Sequence, residues 1–224
     1  MMNPNVIPPS PLLFALEPFN AFRDYVAGHI GMRDLSMKGD GHPVLVFPGL
    51  GVSGAATADL RARLQQLGYS VYDWKHGVNS GPGIDFEGWL KLLGEHLREI
   101  YAEHNSRISL IGWSFGGTYA RALAKKQPLL VRQVITLATP FGEPYSTSAE
   151  KHSMRQAVSV PTVRSSSIYS RTDGIVDWKQ CIGNEAGRHR NIEVEGVSHF
   201  GMVHHPDVLK IVANLLQDPA PARL

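Results

Sequence analysis

The sequence predicts an α/β domain in which a mostly parallel sheet carries helices on both faces. Three observations lead there. Short apolar runs recur along the chain, amphipathic segments of helical period separate them, and no internal repeat or linker divides the 224 residues. A chain of this length suits a single domain and can bury a substantial core.

The opening to Pro11 is proline-rich and expected to be irregular. Leu12, Leu16, Phe19, Phe22 and Val26 then recur at helical spacing, and this stripe is expected to pack on the body, with Pro18 breaking or restarting the helix. Strands are expected at PVLVF (43–47), YSVYDW (69–74), RISLIGW (107–113), VRQVITLA (131–138), SSSIYS (165–170) and NIEVEG (191–196). Helices are expected at 55–67, where Leu60, Leu64 and Leu67 share a face, and after a cap at Asp85, where Phe86, Trp89, Leu90, Leu93, Leu97 and Ile100 form another. Two more follow at 115–126 and 206–216, the second with proline at its first position. The expected organisation is an N-terminal segment, 1–38, a catalytic body, 39–217, and a frayed tail, 218–224.

Lys and Arg number 22 against 20 Asp and Glu, and the resulting charge of +2 is scattered, which argues against a nucleic-acid partner. The single cysteine, Cys181, allows no internal disulfide and no cysteine cluster for zinc, so a reducing compartment is expected. No Lys or Arg precedes Arg23, and the only apolar stretch before it is LLFAL. Neither a secretory signal nor a transmembrane segment is expected, and the chain is read as cytoplasmic, without stable membrane insertion.

Two glycine motifs compete for the chemistry. Gly49-Leu50-Gly51-Val52-Ser53-Gly54 fits G-x-G-x-x-G after an apolar strand, with Asp73 at the end of the next strand, as a dinucleotide site requires. Its physical content is a tight turn that aims N–H groups at an anion, and a developing oxyanion is an anion too. The second motif, Gly112-Trp113-Ser114-Phe115-Gly116, sets a serine at a strand-to-helix junction where its side chain projects from the carboxyl end of the sheet.

Serine is a poor nucleophile without a base and an orienting group. His199, in NIEVEGVSHFGM, follows the last strand and precedes the last helix, where a base belongs. His204 and His205 read as residues leading into that helix; with no cysteine or well-spaced carboxylate set beside them, no metal site is expected. The loop after 165–170 offers Asp173 and Asp177; Asp173 is nearer the strand end and is preferred, with Asp177 as a cap.

With Ser114, Asp173 and His199 in that order, the chain resembles the α/β-hydrolase superfamily, and within it the compact serine esterases and lipases without a large lid. The resemblance spans roughly residues 40–217 and rests on four segments in sequence: Pro48-Gly49-Leu50-Gly51, the serine turn, Thr172-Asp173-Gly174-Ile175-Val176-Asp177 and Ser198-His199-Phe200-Gly201. It implies an oxyanion hole from the backbone N–H groups of Leu50 and Phe115, with Pro48 standing where many relatives have histidine. It also implies hydrolysis of a small-molecule or lipid ester through an acyl-enzyme, without cofactor. Thioester hydrolysis, another acyl transfer or lyase chemistry on the same residues, and dinucleotide binding at 49–54 are the alternatives. Too few residues separate the strands at 131–138 and 165–170 for a large cap domain, and Phe141, Tyr145, Trp178 and Phe200 are expected to line an open pocket.

Overall fold

A computed structural model describes residues 9–30, 38–83, 85–141, 161–183 and 189–218. Six strands, β1 (Pro43–Phe47), β2 (Ser70–Asp73), β3 (Ile108–Trp113), β4 (Val131–Leu137), β5 (Arg164–Tyr169) and β6 (His189–Glu193), form one sheet of order β2-β1-β3-β4-β5-β6. Every neighbouring pair is parallel. The strands β1, β3 and β4 are buried along their whole length, which is why β1 reads as an unbroken apolar run and β3 and β4 as mostly apolar ones without alternation, their polar residues Ser109, Arg132 and Gln133 being hydrogen-bonded.

Among the described residues five α-helices accompany the sheet: α1 (Pro11–Ile30), α2 (Ala58–Gln66), α3 (Phe86–His104), α4 (Phe115–Lys126) and α5 (Pro206–Gln217). One core layer joins Val44, Val46, Ile111 and Ile135 to Leu60 and Leu64 of α2 and to Val212 and Leu216 of α5. The other joins Leu45, Phe47, Leu110 and Val134 to Leu90, Leu93 and Leu97 of α3 and to Tyr119 and Leu123 of α4. Helices thus cover both faces. Each fully buried Leu, Ile or Val contributes about 1.5–3 kcal/mol relative to exposure.

The cap predicted for α3 is present, with the Asp85 carboxylate accepting from the Gly88 N–H at 2.8 Å. Two boundaries differ from expectation. Residues Gly54–Thr57 form a 3₁₀ turn capped by Ser53, so the α-helix starts only at Ala58. The last strand runs His189–Glu193, not 191–196, because its register with β5 pairs His189 with Ser165 and ends at Glu193 with Tyr169. Buried Val194 and Val197 belong to the turn that carries the chain inward toward His199.

The N-terminal helix corrects the sequence reading twice. It runs unbroken through Pro18, which lies on the exposed side together with Phe14, the residue whose carbonyl loses its helical donor. The apolar stripe expected to pack on the body faces outward: Leu12 and Phe19 are 67% exposed and Phe22 68%. The body side carries Glu17 and Asp24, both buried. Among the described residues no helix is long and apolar enough to cross a membrane.

Candidate active site

The carboxyl ends of parallel strands gather the loops that follow them. After β3 the chain turns at once into α4, and Ser114 occupies the junction with φ +52° and ψ −128°. A serine with positive φ is strained, and the surroundings hold it there. Its N–H donates to the Leu137 carbonyl at 2.8 Å and its carbonyl accepts from Gly117 at 3.0 Å. Gly116 is required by close approach: a Cβ there would collide with the carbonyl oxygens of Phe47 and Pro48. The Ser114 side chain makes no capping hydrogen bond, so its half-buried hydroxyl is not committed to the helix it precedes.

The loop after β1 lies directly against this serine; a Cβ on Gly49 would sit 3.3 Å from Ser114 Cβ. Phe115 is the first residue of α4, so its N–H is one of the donors that has no intrahelical acceptor. The loop itself is held by a residue that sequence reasoning missed. Asn79, fully buried, donates from Nδ2 to the Pro48 carbonyl at 2.9 Å and accepts at Oδ1 from the Tyr119 hydroxyl of α4 at 3.2 Å. Its backbone accepts from the Gly51 N–H at 2.7 Å and donates to the Val52 carbonyl at 2.8 Å. One side chain therefore ties the loop after β1 to the serine helix. Gly54, the last glycine of the motif, packs against the Asp73 carboxylate, which also lies 3.8 Å from Arg61. The acid that a dinucleotide reading needs is thus turned toward the glycine turn itself, its Oδ1 buried without a hydrogen-bond partner.

After β5, Asp173 is 3% exposed and saturated with hydrogen bonds. Its Oδ1 accepts from the N–H groups of Ile175 and Val176, each at 2.8 Å, and its Oδ2 faces His199 Nδ1 at 2.8 Å. A carboxylate accepts, so Nδ1 carries the ring proton and Nε2 keeps its lone pair. Asp177 instead caps the 3₁₀ turn Trp178–Cys181, accepting from the Lys179 N–H at 3.1 Å. Trp113 fixes the other side of the histidine: its indole donates to the His199 carbonyl at 3.1 Å and its ring lies 5.6 Å from the imidazole. The residue next to the serine thereby locates the histidine. His204 pairs with Asp59 at 3.1 Å, and His205 caps α5.

Of the residues expected to line a pocket, Phe200 stays at the site, 43% exposed with its ring 5.9 Å from His199 and 5.6 Å from Trp113. Leu50, on the facing loop, is also exposed. Phe141 lies under the Arg121 guanidinium at 4.1 Å and against His189, and Trp178 stacks on Tyr169 beneath Arg171. Both rings are engaged in packing of their own. Tyr145 falls outside the described residues.

A second serine–histidine–aspartate chain exists at the opposite end of the sheet. His42 Nε2 lies 2.8 Å from Ser109 Oγ, His42 Nδ1 bonds Asp40, and Asp40 is braced by Arg132 at 2.8 Å. Ser109 is wholly buried in mid-strand and also receives the Gln133 amide at 3.3 Å. It has the connectivity of a triad without access for a substrate. Burial holds the His42 imidazole below its ordinary value against the pull of Asp40. The contrast shows that a sharp turn, not the hydrogen-bond chain, distinguishes Ser114.

No family model and no curated protein sequence matches the chain. Solved structures do. Lipase BlEst2 of Bacillus licheniformis in its mature form is 16% identical with a TM-score of 0.64, over 82% of this chain and 95% of that one. A metagenome-derived lipolytic enzyme, from work on LipS and LipT, is 14% identical with a TM-score of 0.62, over 82% and 96%. A serine hydrolase without a lid from Xanthomonas campestris is 19% identical with a TM-score of 0.58, over 82% and 83%. The chain has the α/β-hydrolase fold.

Proposed function

We propose that the chain is a serine hydrolase that cleaves carboxylic esters through an acyl-enzyme. The observation that carries this reading is the convergence of a strained serine turn, a buried Asp173–His199 pair and the Gly49–Leu50 loop at one end of the sheet. The solved lipases and esterases of the same fold are consistent with it.

In this mechanism His199 Nε2 accepts the Ser114 proton while Oγ forms a bond to the acyl carbon, and the carbonyl π electrons move onto oxygen. The oxyanion accepts from the N–H groups of Leu50 and Phe115, each such donor being worth on the order of 10²–10³ in turnover. Collapse breaks the C–O bond, and the imidazolium gives its proton to the departing alcohol. Water then repeats the sequence, with His199 as base, and releases the acid. Asp173 holds the ring in the required tautomer throughout and stabilises its cationic form.

The exposed side chains of Leu50 and Phe200 favour a substrate with an apolar acyl or alcohol group, a small-molecule or lipid ester. A fluorophosphonate probe with peptide mapping tests the nucleophile, and a chain-length series of esters, with thioester and cyanohydrin panels beside it, tests the reaction. Turnover confined to a thioester or a cyanohydrin would move the chain to another chemistry on the same residues. Absence of labelling and of turnover on all three panels would remove the proposal.

A further inference from the structure

Helix α1 presents to the body a face that simple packing does not explain. Its large apolar side chains Leu12, Phe14, Leu16, Phe19 and Phe22 point out and its two acids point in. Glu17 is 2% exposed and Asp24 wholly buried, and seven residues apart they fall on one side of the helix. Burying a carboxylate is unfavourable unless its oxygens are satisfied, and here Glu17 meets backbone N–H donors of both candidate catalytic loops and Asp24 one of the histidine loop. Glu17 Oε2 accepts from Gly174, the residue after Asp173, at 2.9 Å; Glu17 Oε1 accepts from Phe200, the residue after His199, at 3.1 Å. Asp24 Oδ2 accepts from Ser198, the residue before His199, at 2.7 Å, while its Oδ1 is paired with Arg23. The contact is close. A Cβ on Gly174 would lie 2.8 Å from Glu17 Oε2 and collide with the Leu13 carbonyl, and one on Gly201 would collide with Asp24.

We propose that Glu17 is a positioning residue of the active site, a buried carboxylate that locks the Asp173 and His199 loops to each other, with Asp24 fixing the approach to the histidine. The inference rests on the hydrolase reading for its kinetic consequence and on geometry alone for its structural one. Two loops that follow different strands have no covalent reason to keep a fixed separation, and a single side chain bonded to both supplies one. The charged groups near His199 are Asp173, bonded to its Nδ1, and Glu17 of α1, while Asp24 sits on the Ser198 N–H and is paired with Arg23. Glu17 therefore adds a negative charge behind the imidazole as well as two hydrogen bonds. Burial pushes its own carboxyl up, the two N–H donors oppose that, and Asp173 and His199 act on it in opposite directions.

Glu17→Gln separates this role from packing. Glutamine matches the shape but offers one oxygen; its NH₂ meets the second backbone N–H donor to donor, and the charge is gone. The expected result is a loss of about 10- to 100-fold in kcat with KM changed little, the scale of a small misplacement of reacting groups. The acid limb of kcat/KM should also move to lower pH, because removing a nearby negative charge disfavours the protonated imidazole. Glu17→Asp keeps the charge on a shorter arm, so the acid limb should stay in place while kcat falls. Phe19→Ser, on the outer face of the same helix, should change neither. The His199 Nδ1 proton, followed by proton NMR in wild type and in Glu17→Gln, reads the lock without reference to turnover and should broaden or vanish in the variant.

A wild type that turns over none of the substrate panels sinks the hydrolase reading, and the Nδ1 resonance then decides the lock on its own. Wild-type kcat, acid limb and Nδ1 signal in Glu17→Gln would overturn the positioning role. Should that variant not fold, Glu17→Asp with wild-type kcat would do the same.

Discussion

The Asn79 side-chain amide donates to the Pro48 carbonyl at 2.9 Å, fastening the loop that carries Leu50 to a wholly buried residue 31 positions away. The same side chain accepts from Tyr119 on the helix that begins at Phe115. Both proposed oxyanion donors thus hang on one amide. Asn79→Ala frees the loop and strands the Pro48 carbonyl and Tyr119 hydroxyl. Turnover of a simple ester should fall by about 10²-fold, with KM nearly constant, since the donors act on charge that develops only in the transition state. Each stranded buried group also costs about 1–3 kcal/mol of stability, measurable by urea titration. An unchanged kcat would show that the loop needs no such tether.

Ser114→Ala should abolish phosphonate labelling and ester turnover together. The Ala side chain makes the same turn as serine and lacks only the hydroxyl, which caps nothing. Circular dichroism should therefore match the wild type. Esterase activity at the wild-type level in this variant would exclude Ser114 as the nucleophile.

Asp173→Asn and Asp177→Asn should diverge. At 173 an amide in place of the carboxylate presents NH₂ or oxygen to Nδ1 and favours the wrong tautomer, a change that can cost on the order of 10⁴ in turnover. At 177 the side chain serves as a cap for the Lys179 N–H, and asparagine caps about as well as aspartate. Steady-state kinetics on the pair decides: a crippled Asp177→Asn beside an active Asp173→Asn would exchange their roles.

Acid should destabilise the fold from near neutrality downward. Burial holds the imidazoles of His42, His76 and His204 below their ordinary values, burial being the largest cause in each case. The unfolded chain takes up these protons below about pH 6.5 while the native state resists them. The stability these groups support is present above that value and declines as pH falls toward the native pKa values. Asp40, held down to about 2 with help from His42 and Arg132 against the cost of its burial, adds a further loss in stronger acid. Urea midpoints measured from pH 8 to pH 5 should decline below about 6.5, and His42→Gln should flatten part of that slope. A midpoint constant over the whole range would contradict the assignment.

Much of the body was legible because parallel strands buried on both faces are predominantly apolar, as Val44–Phe47 is throughout and Ile108–Ile111 is except for the hydrogen-bonded Ser109. The serine turn was legible for a similar reason: Gly112 and Gly116 stand where backbone meets backbone, and a side chain cannot. What failed was the side of α1. Periodicity says that Leu12, Leu16, Phe19 and Phe22 share a face but not which face the body takes. The readable signal was the pair of acids at a spacing of seven, Glu17 and Asp24, in a helix otherwise poor in charge. Asn79 and the Trp113 indole left no trace, since their partners, the Pro48 carbonyl and Tyr119 hydroxyl for one and the His199 carbonyl for the other, come near only in the folded chain.

The bonds that Glu17 and Asp24 make to the last loops span 157, 174 and 183 residues of sequence. Helix α1 leaves the ribosome well before the loops that carry the donors it requires. Until Ser198 and Phe200 have emerged, Asp24 and Glu17 lack these donors, and the histidine between them in sequence is still inside the exit tunnel. The order of synthesis therefore makes assembly of the site a late event, well after the central strands are complete. Truncation within the loops after β5 and β6 leaves the two α1 acids without these donors.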